Sequence, residues 1–172
     1  MQSDTMMLYK LIILFMLDKV DFPLTNAQIS NFMLDKDYTD YFTIQQVISE
    51  LVDTEFITLE TIRQTSRYMI TDSGRETLSF FGNKISNAIQ DDVLNYLKQN
   101  KFELRNETSI TSDFIKQNSG EYLVNLKVKE KASTVIEINL TVPTQEEASK
   151  ICNNWKGKSQ DIYAQVFSLL LS

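Results

Sequence analysis

At 172 residues and 42% hydrophobic, with four Gly, two Pro and no low-complexity tract, the chain can fill one sizeable core or two small ones and leaves little room for unstructured linkers. Its formal charge is −6, and its one cysteine, Cys152, excludes an internal disulfide; the surrounding SKICNNW has no second thiol or imidazole at metal spacing, which argues against zinc. No histidine and no GxSxG, phosphate-loop or GxGxxG run is present, so composition points away from an enzyme and from any cofactor.

The apolar run MMLYKLIILFML (6–17) is too short to span a bilayer, and Lys10 interrupts it. Asp4 stands where a signal peptide carries basic residues, and no small-residue cleavage site follows, so a soluble, cytoplasmic chain without a membrane partner is expected. Residues 5–19 predict a helix whose apolar side chains cover nearly the whole circumference: Leu8, Leu11, Ile12 and Phe15 on one side, Met7, Ile13, Leu14 and Leu17 on much of the rest. Such a helix must be buried all round. A three-helix domain covers one side of it, so the other is expected to meet a second subunit or the C-terminal half.

TNAQ (25–28) has the form of a capping box and opens a short helix with Ile29, Phe32 and Met33 inward. TIQQ (43–46) reads as a second one, opening a third helix with the core stripe Ile44, Val47, Ile48, Leu51 and Val52. The polar and aromatic turn DKDYTDYF separates the two, which is helix-turn-helix order. FITLETI (56–62) and RYMIT (67–71) predict two strands joined by a four-residue polar tip, and TDSG restarts a helix that runs to Phe81 with Thr71 or Asp72 as cap.

Gly82 and Asn83 mark a break, so the domains are expected to be 1–82 and 83–172. An amphipathic connector helix follows, carrying Ile85, Ile89, Val93, Tyr96 and Leu97 to about Asn100. The period then changes to two: Val124, Leu126 and Val128 alternate with Asn125, Lys127 and Lys129, and Ile136, Ile138, Leu140 and Val142 with Glu137, Asn139 and Thr141. EKAS (130–133) joins these strands, and an earlier strand is expected within 102–116 before the NSG turn. TQEE (144–147) opens a helix to Trp155, KGK breaks it, and a last helix over 159–171 is again apolar nearly all round. The expected fold is α+β: a helix-turn-helix domain with a β hairpin, then a β-β-β-α-α domain whose small antiparallel sheet is covered by helices. Lys127, Lys129 and Lys131 read as guards on a strand edge or face, and Trp155 and Cys152 as packing residues.

FTIQQVISELVDTEFITLE and RYMITDSGRETLSFF together resemble bacterial winged-helix transcriptional regulators, above all in the SELVDTEFI step into the wing and the ITDSGRE exit from it. More narrowly, the whole chain resembles a bacterial family known only as domain of unknown function 4364. That resemblance implies a winged helix-turn-helix domain, a small α+β domain and a presumed role in transcription regulation, with no established ligand or effector.

The first 82 residues hold six basic and twelve acidic groups, a net of −6, and the remainder hold eleven of each. DNA affinity depends on cations at phosphates, so the acidity weighs against strong binding by one subunit. With the core stripe of the third helix facing inward, its outer face carries Gln46, Ser49, Glu50 and Asp53, with Gln45 at the flank. Glutamine reads adenine with two hydrogen bonds, so Gln45, Gln46 and Ser49 are candidate base contacts; the alternative is a solvated helix face. Arg63, Gln64, Thr65 and Arg67 form the candidate wing contact, with the arginines suited to phosphate or a narrow minor groove. The expected function is therefore a homodimeric, non-enzymatic regulator that binds double-stranded DNA. The rival is an acidic winged-helix module that binds protein and not DNA.

Overall fold

Leu11, Ile12, Ile13, Leu14, Met16 and Leu17 place apolar groups at almost every angle around helix α1 (Gln2–Asp18), and all six are buried in the computed structural model, which describes residues 2–131 and 133–172. The covering comes from within one unit. Helix α1 packs on α3 (Tyr41–Asp53), β3 (Thr65–Ile70) and α4 (Asp72–Phe81). The hairpin and α4 close the side that the second and third helices leave open, and Ile85, Val93, Leu97 and Leu104 of the C-terminal half join the same core, so the burial of this helix needs no second subunit.

The chain forms two compact units, the first running through Arg105 apart from Ile62–Gln64 and the second comprising Ile62–Gln64 and Asn106–Ser172. The first unit also holds β1 (Leu24–Thr25), α2 (Asn26–Asp35), all but the last residue of β2 (Ile57–Ile62), a 3-10 turn at Gly82–Lys84 and most of α5 (Asn87–Ser109). The break at Gly82 is thus no boundary. Ile85, Val93, Leu97 and Leu104 are buried in the same core as α1, so α5 packs with the first unit up to Arg105. The phenol of Tyr38 donates to Asp92 on α5 at 2.7 Å, and that bond, with desolvation the larger cause, raises its pKa.

Local chemistry sets the helix starts. At α2 the box is complete: the Thr25 hydroxyl accepts the Gln28 amide at 3.1 Å, and the Gln28 side chain accepts the Thr25 amide at 2.8 Å. Helix α3 begins two residues before Thr43, because Asp40, in extended conformation, already caps it by accepting the Thr43 amide at 2.8 Å. Thr71 caps α4 through the Gly74 amide.

The first sheet has order β1-β3-β2. Its two-residue strand β1 pairs Leu24 with Tyr68 and Thr25 with Arg67, a strand too short to carry a period. The hairpin tip contains two residues, not four: Arg63 and Gln64 have φ of 47° and 64°, the left-handed pair of a tight hairpin turn.

The second unit holds a sheet of order β4-β5-β6, with β4 Ile110–Lys116, β5 Tyr122–Glu130 and β6 Ser133–Val142. Antiparallel pairs such as Val124↔Phe114 and Leu126↔Ile138 place the alternating apolar residues on one face, as their period requires. Of the expected 130–133 turn, Lys131 adopts φ 57° and Ala132 lies outside the described residues. Lys127 and Lys129 lie on β5, the central strand, so they guard no edge. The expected pair of C-terminal helices is one helix, α6 (Gln145–Leu171), capped by Thr144. Gly157 passes through it in open space, costing about 1 kcal/mol relative to Ala without breaking the ladder. Val124, Leu126, Ala148, Cys152 and Trp155 are the buried centre of this unit. Among the described residues no helix is long and apolar enough to cross a membrane.

Candidate nucleic-acid interface

The inward stripe of α3 is the expected one: Ile44, Val47, Ile48 and Leu51 are buried. Helical geometry then turns Phe42, Gln46, Ser49 and Asp53, at spacings of four, three and four, to the opposite side. Phe42 is 85% exposed, Tyr41 beside it is 52% exposed, and Gln46 and Ser49 are also open. The two rings meet edge to face at 6.3 Å. Phe42, expected in the turn, lies in the first turn of α3. Its spacing from Gln46 and Ser49 would have placed it on the outer face had the helix start been read at Asp40.

Gln45 plays another part. Its amide faces that of Asn26 on α2, with Asn26 Nδ2 donating to Gln45 Oε1 at 2.7 Å and Gln45 Nε2 donating to Asn26 Oδ1 at 3.0 Å. Gln45 Nε2 also donates to Ser30 Oγ at 3.0 Å, and Asn26 Nδ2 to Tyr68 Oη at 3.3 Å. The cluster holds the crossing of α2 and α3 and leaves Gln45 little capacity for an outside partner. Gln45→Ala is expected to strand the Asn26 and Ser30 groups and cost about 1–3 kcal/mol in urea unfolding, whereas Gln46→Ala should change stability by less than about 0.5 kcal/mol. Equal effects would refute this division of labour.

Two acids near the exposed stripe, the cap Asp40 and Glu50 on α3, each have a local role. Asp40 caps the helix, and its backbone hydrogen bond from Thr43 holds its carboxyl below the usual range. Glu50 accepts from Lys10 at 2.7 Å and from Gln46 Nε2 at 3.3 Å, and these bonds, the one from Lys10 foremost, lower its pKa. A lowered carboxyl pKa stabilises the fold above the ordinary Glu value, and the contribution disappears as pH falls through the lowered one. Lys10→Met should therefore move the Glu50 titration midpoint upward in a carboxyl NMR titration. An unchanged midpoint would show that Lys10 does not set it.

The four hairpin residues divide. Gln64 and Thr65 are exposed. Arg63, which clusters with the second unit, is exposed, donates from Nη1 to Asn153 Oδ1 at 3.1 Å and lies 6.0 Å from the centre of the Phe114 ring. Arg67 is only 8% exposed. Its burial in the β1-β3 register leaves little of its guanidinium for a phosphate.

A cleft of about 340 Å³ in the first unit is lined by Phe15, Asp18, Lys19, Arg75, Leu78 and Gln90 among others. Arg75 is held there by Asp18 at 3.5 Å and Asp72 at 3.2 Å. No group of three or more Cys, Asp or Glu side chains is gathered to hold a metal ion among the described residues. The Cys152 thiol is pushed up by burial, away from the reactive thiolate.

No curated protein and no solved structure matches this chain. A family model described as "Domain of unknown function (DUF4364)" matches residues 9–170, and the chain belongs to that family.

Proposed function

We propose that the first unit is a winged-helix domain and that the protein is a DNA-binding transcriptional regulator, acting as a homodimer. What supports the reading most is the α3 surface: Phe42, Gln46 and Ser49 stand together on an outward stripe while Asn26 and Gln45 fix the helix against α2. Gln46 suits adenine, and the ring of Phe42 suits the thymine methyl group beside it. The β2–β3 hairpin takes the place of the wing, with Gln64, Thr65 and Arg63 as its contacts once Arg63 leaves Asn153. Arg67 serves the fold.

With so few exposed cations near the stripe, each subunit binds weakly and its salt dependence is shallow, so two subunits are needed for a specific site. On a duplex selected from genomic fragments, Gln46→Ala should weaken binding by roughly 5- to 100-fold, as loss of a two-bond base contact does. Arg63→Ala should reduce the salt slope by about one. No effect of Gln46→Ala on a bona fide site would remove α3 as the reading element.

A second reading is carried by the charge of −6 on the first 82 residues together with the openly exposed Phe42 ring. It makes the same surface a dock for a protein with a basic, apolar face. Recovery of a specific DNA sequence would overturn it.

A further inference from the structure

Helix α6 is longer than the sheet beneath it. It packs mainly over β4 and β5, and its buried side chains end at Ser159. Beyond that point Val166, Phe167, Leu169, Leu170 and Leu171 are exposed, the last three by more than 70%. No charged residue occurs after Asp161.

Of the two outer strands, β4 and β6, each with an open edge, β6 is the one that α6 covers less. Among the described residues β6 pairs with β5 alone, so half of its backbone donors and acceptors point away from the sheet. Ser133–Val142 contains no Lys, Arg or Pro, and its one guard is a bulge at Val135, opposite the Val128–Lys129 step, which leaves 136–142 in regular register. Its one charge, Glu137, is turned to the sheet's outer face, where it accepts from Asn125 at 2.8 Å and pairs with Lys127 at 3.5 Å. On the inner face Leu140 remains 41% exposed.

We propose that β6 and the overhanging end of α6 form a self-complementary interface with a second copy of this chain. The β6 edges pair antiparallel across a two-fold axis into a six-stranded sheet, which brings the α6 end of each copy toward the Leu140 end of the other copy's β6. Such an arrangement is isologous: each patch meets its own copy. The exposed parts of Leu140 and the five α6 residues amount to roughly 600 Å² per copy, against about 800 Å² per partner in a standard stable interface, and the paired strand backbones add to that area. The side chains of 162–172 are uncharged, so none of them repels its copy or offers a charged partner a contact. Helix α1, the other apolar helix, is excluded because it is buried in its own unit.

This deepens the homodimer part of the proposed function and is independent of its DNA part. Sedimentation equilibrium of the full chain should give twice the chain mass in the high-micromolar range. The double substitution Phe167→Glu, Leu170→Glu should give the chain mass, and Leu140→Lys should weaken association at least tenfold. The first two positions are largely solvent-exposed, so circular dichroism and Trp155 fluorescence should match the unaltered protein. For the strand, hydrogen exchange of residues 133–142 should slow as concentration rises through the dimer range. A monomeric unaltered chain, a dimer that survives the double substitution, or β6 exchange independent of concentration would each overturn the proposal. A dimer that selects no DNA would leave this interface intact and remove the DNA reading; a monomer that selects a site would do the reverse.

Discussion

Gly74→Ala is expected to destabilise the first unit by about 3 kcal/mol, because a methyl group there has no space and no flexible neighbour to displace. A Cβ at position 74 would lie 2.2 Å from the carbonyl oxygen of Phe56 and 2.9 Å from Ile70 Cγ1. The Phe56 carbonyl is itself fixed by accepting the Thr71 amide at 3.0 Å, and the Thr71 hydroxyl donates to the Glu55 carbonyl at 2.7 Å while accepting the Gly74 amide. The first turn of α4 is thus laced onto the residues entering β2, and it cannot retreat without breaking its own cap. Thermal unfolding followed by circular dichroism should show a lower midpoint for the transition of the first unit. A change below about 0.5 kcal/mol would show that α4 shifts freely against β2.

Trp155→Ala should cost about 3–5 kcal/mol, the range for deleting a large buried aromatic ring. The ring is 2% exposed, and its Nε1 donates to the Lys127 carbonyl at 3.0 Å, fixing α6 on β5. Four other side chains, one of them Ala148, complete the buried centre of that unit, so little remains to compensate. Domains hold only about 5–15 kcal/mol in total, and a unit this small should lose most of its protection. Hydrogen exchange read by mass spectrometry should show rapid exchange over 110–171 with protection retained in α1 and α3. Trp155→Phe, which keeps most of the apolar volume, should cost distinctly less. Loss of protection in α1 along with the second unit would show that the two units do not stand independently.

Where an element carries a strong local signal, the sequence suffices. The capping box at Thr25, the core stripe of α3 and the period of two along β5 and β6 each determine their own structure, since each depends on residues a few positions apart. The misreadings are of three kinds. Some come from competing residues: Asp40 and Thr43 are both good caps, and only the backbone decides that Asp40 acts. Others come from missing signals, as at the hairpin tip, where Arg63 and Gln64 take left-handed angles that Gly or Asn usually marks. The third kind concerns where apolar surface is buried, which is a tertiary fact. Helix α1 and the end of α6 look alike in composition, yet one is enclosed by its own unit and the other is largely exposed.

For the candidate site, spacing on α3 turns Gln46 and Ser49 outward as expected, whereas Gln45, expected as a base contact at the flank, is engaged by α2. Its use against Asn26 depends on a contact between residues nineteen apart in sequence, outside the reach of periodicity. Arg67 was invisible for a similar reason: its burial follows from the β1 pairing, and β1 is two residues long.

The most direct measurement is selection of sheared genomic DNA by the purified full chain at moderate salt, with sequencing of the retained fragments and a known regulator run alongside. Enrichment of a two-fold-symmetric sequence, lost in the Gln46→Ala, Ser49→Ala protein, is the expected result. No enrichment by the folded chain, with the known regulator retaining its own site, would contradict DNA reading by α3.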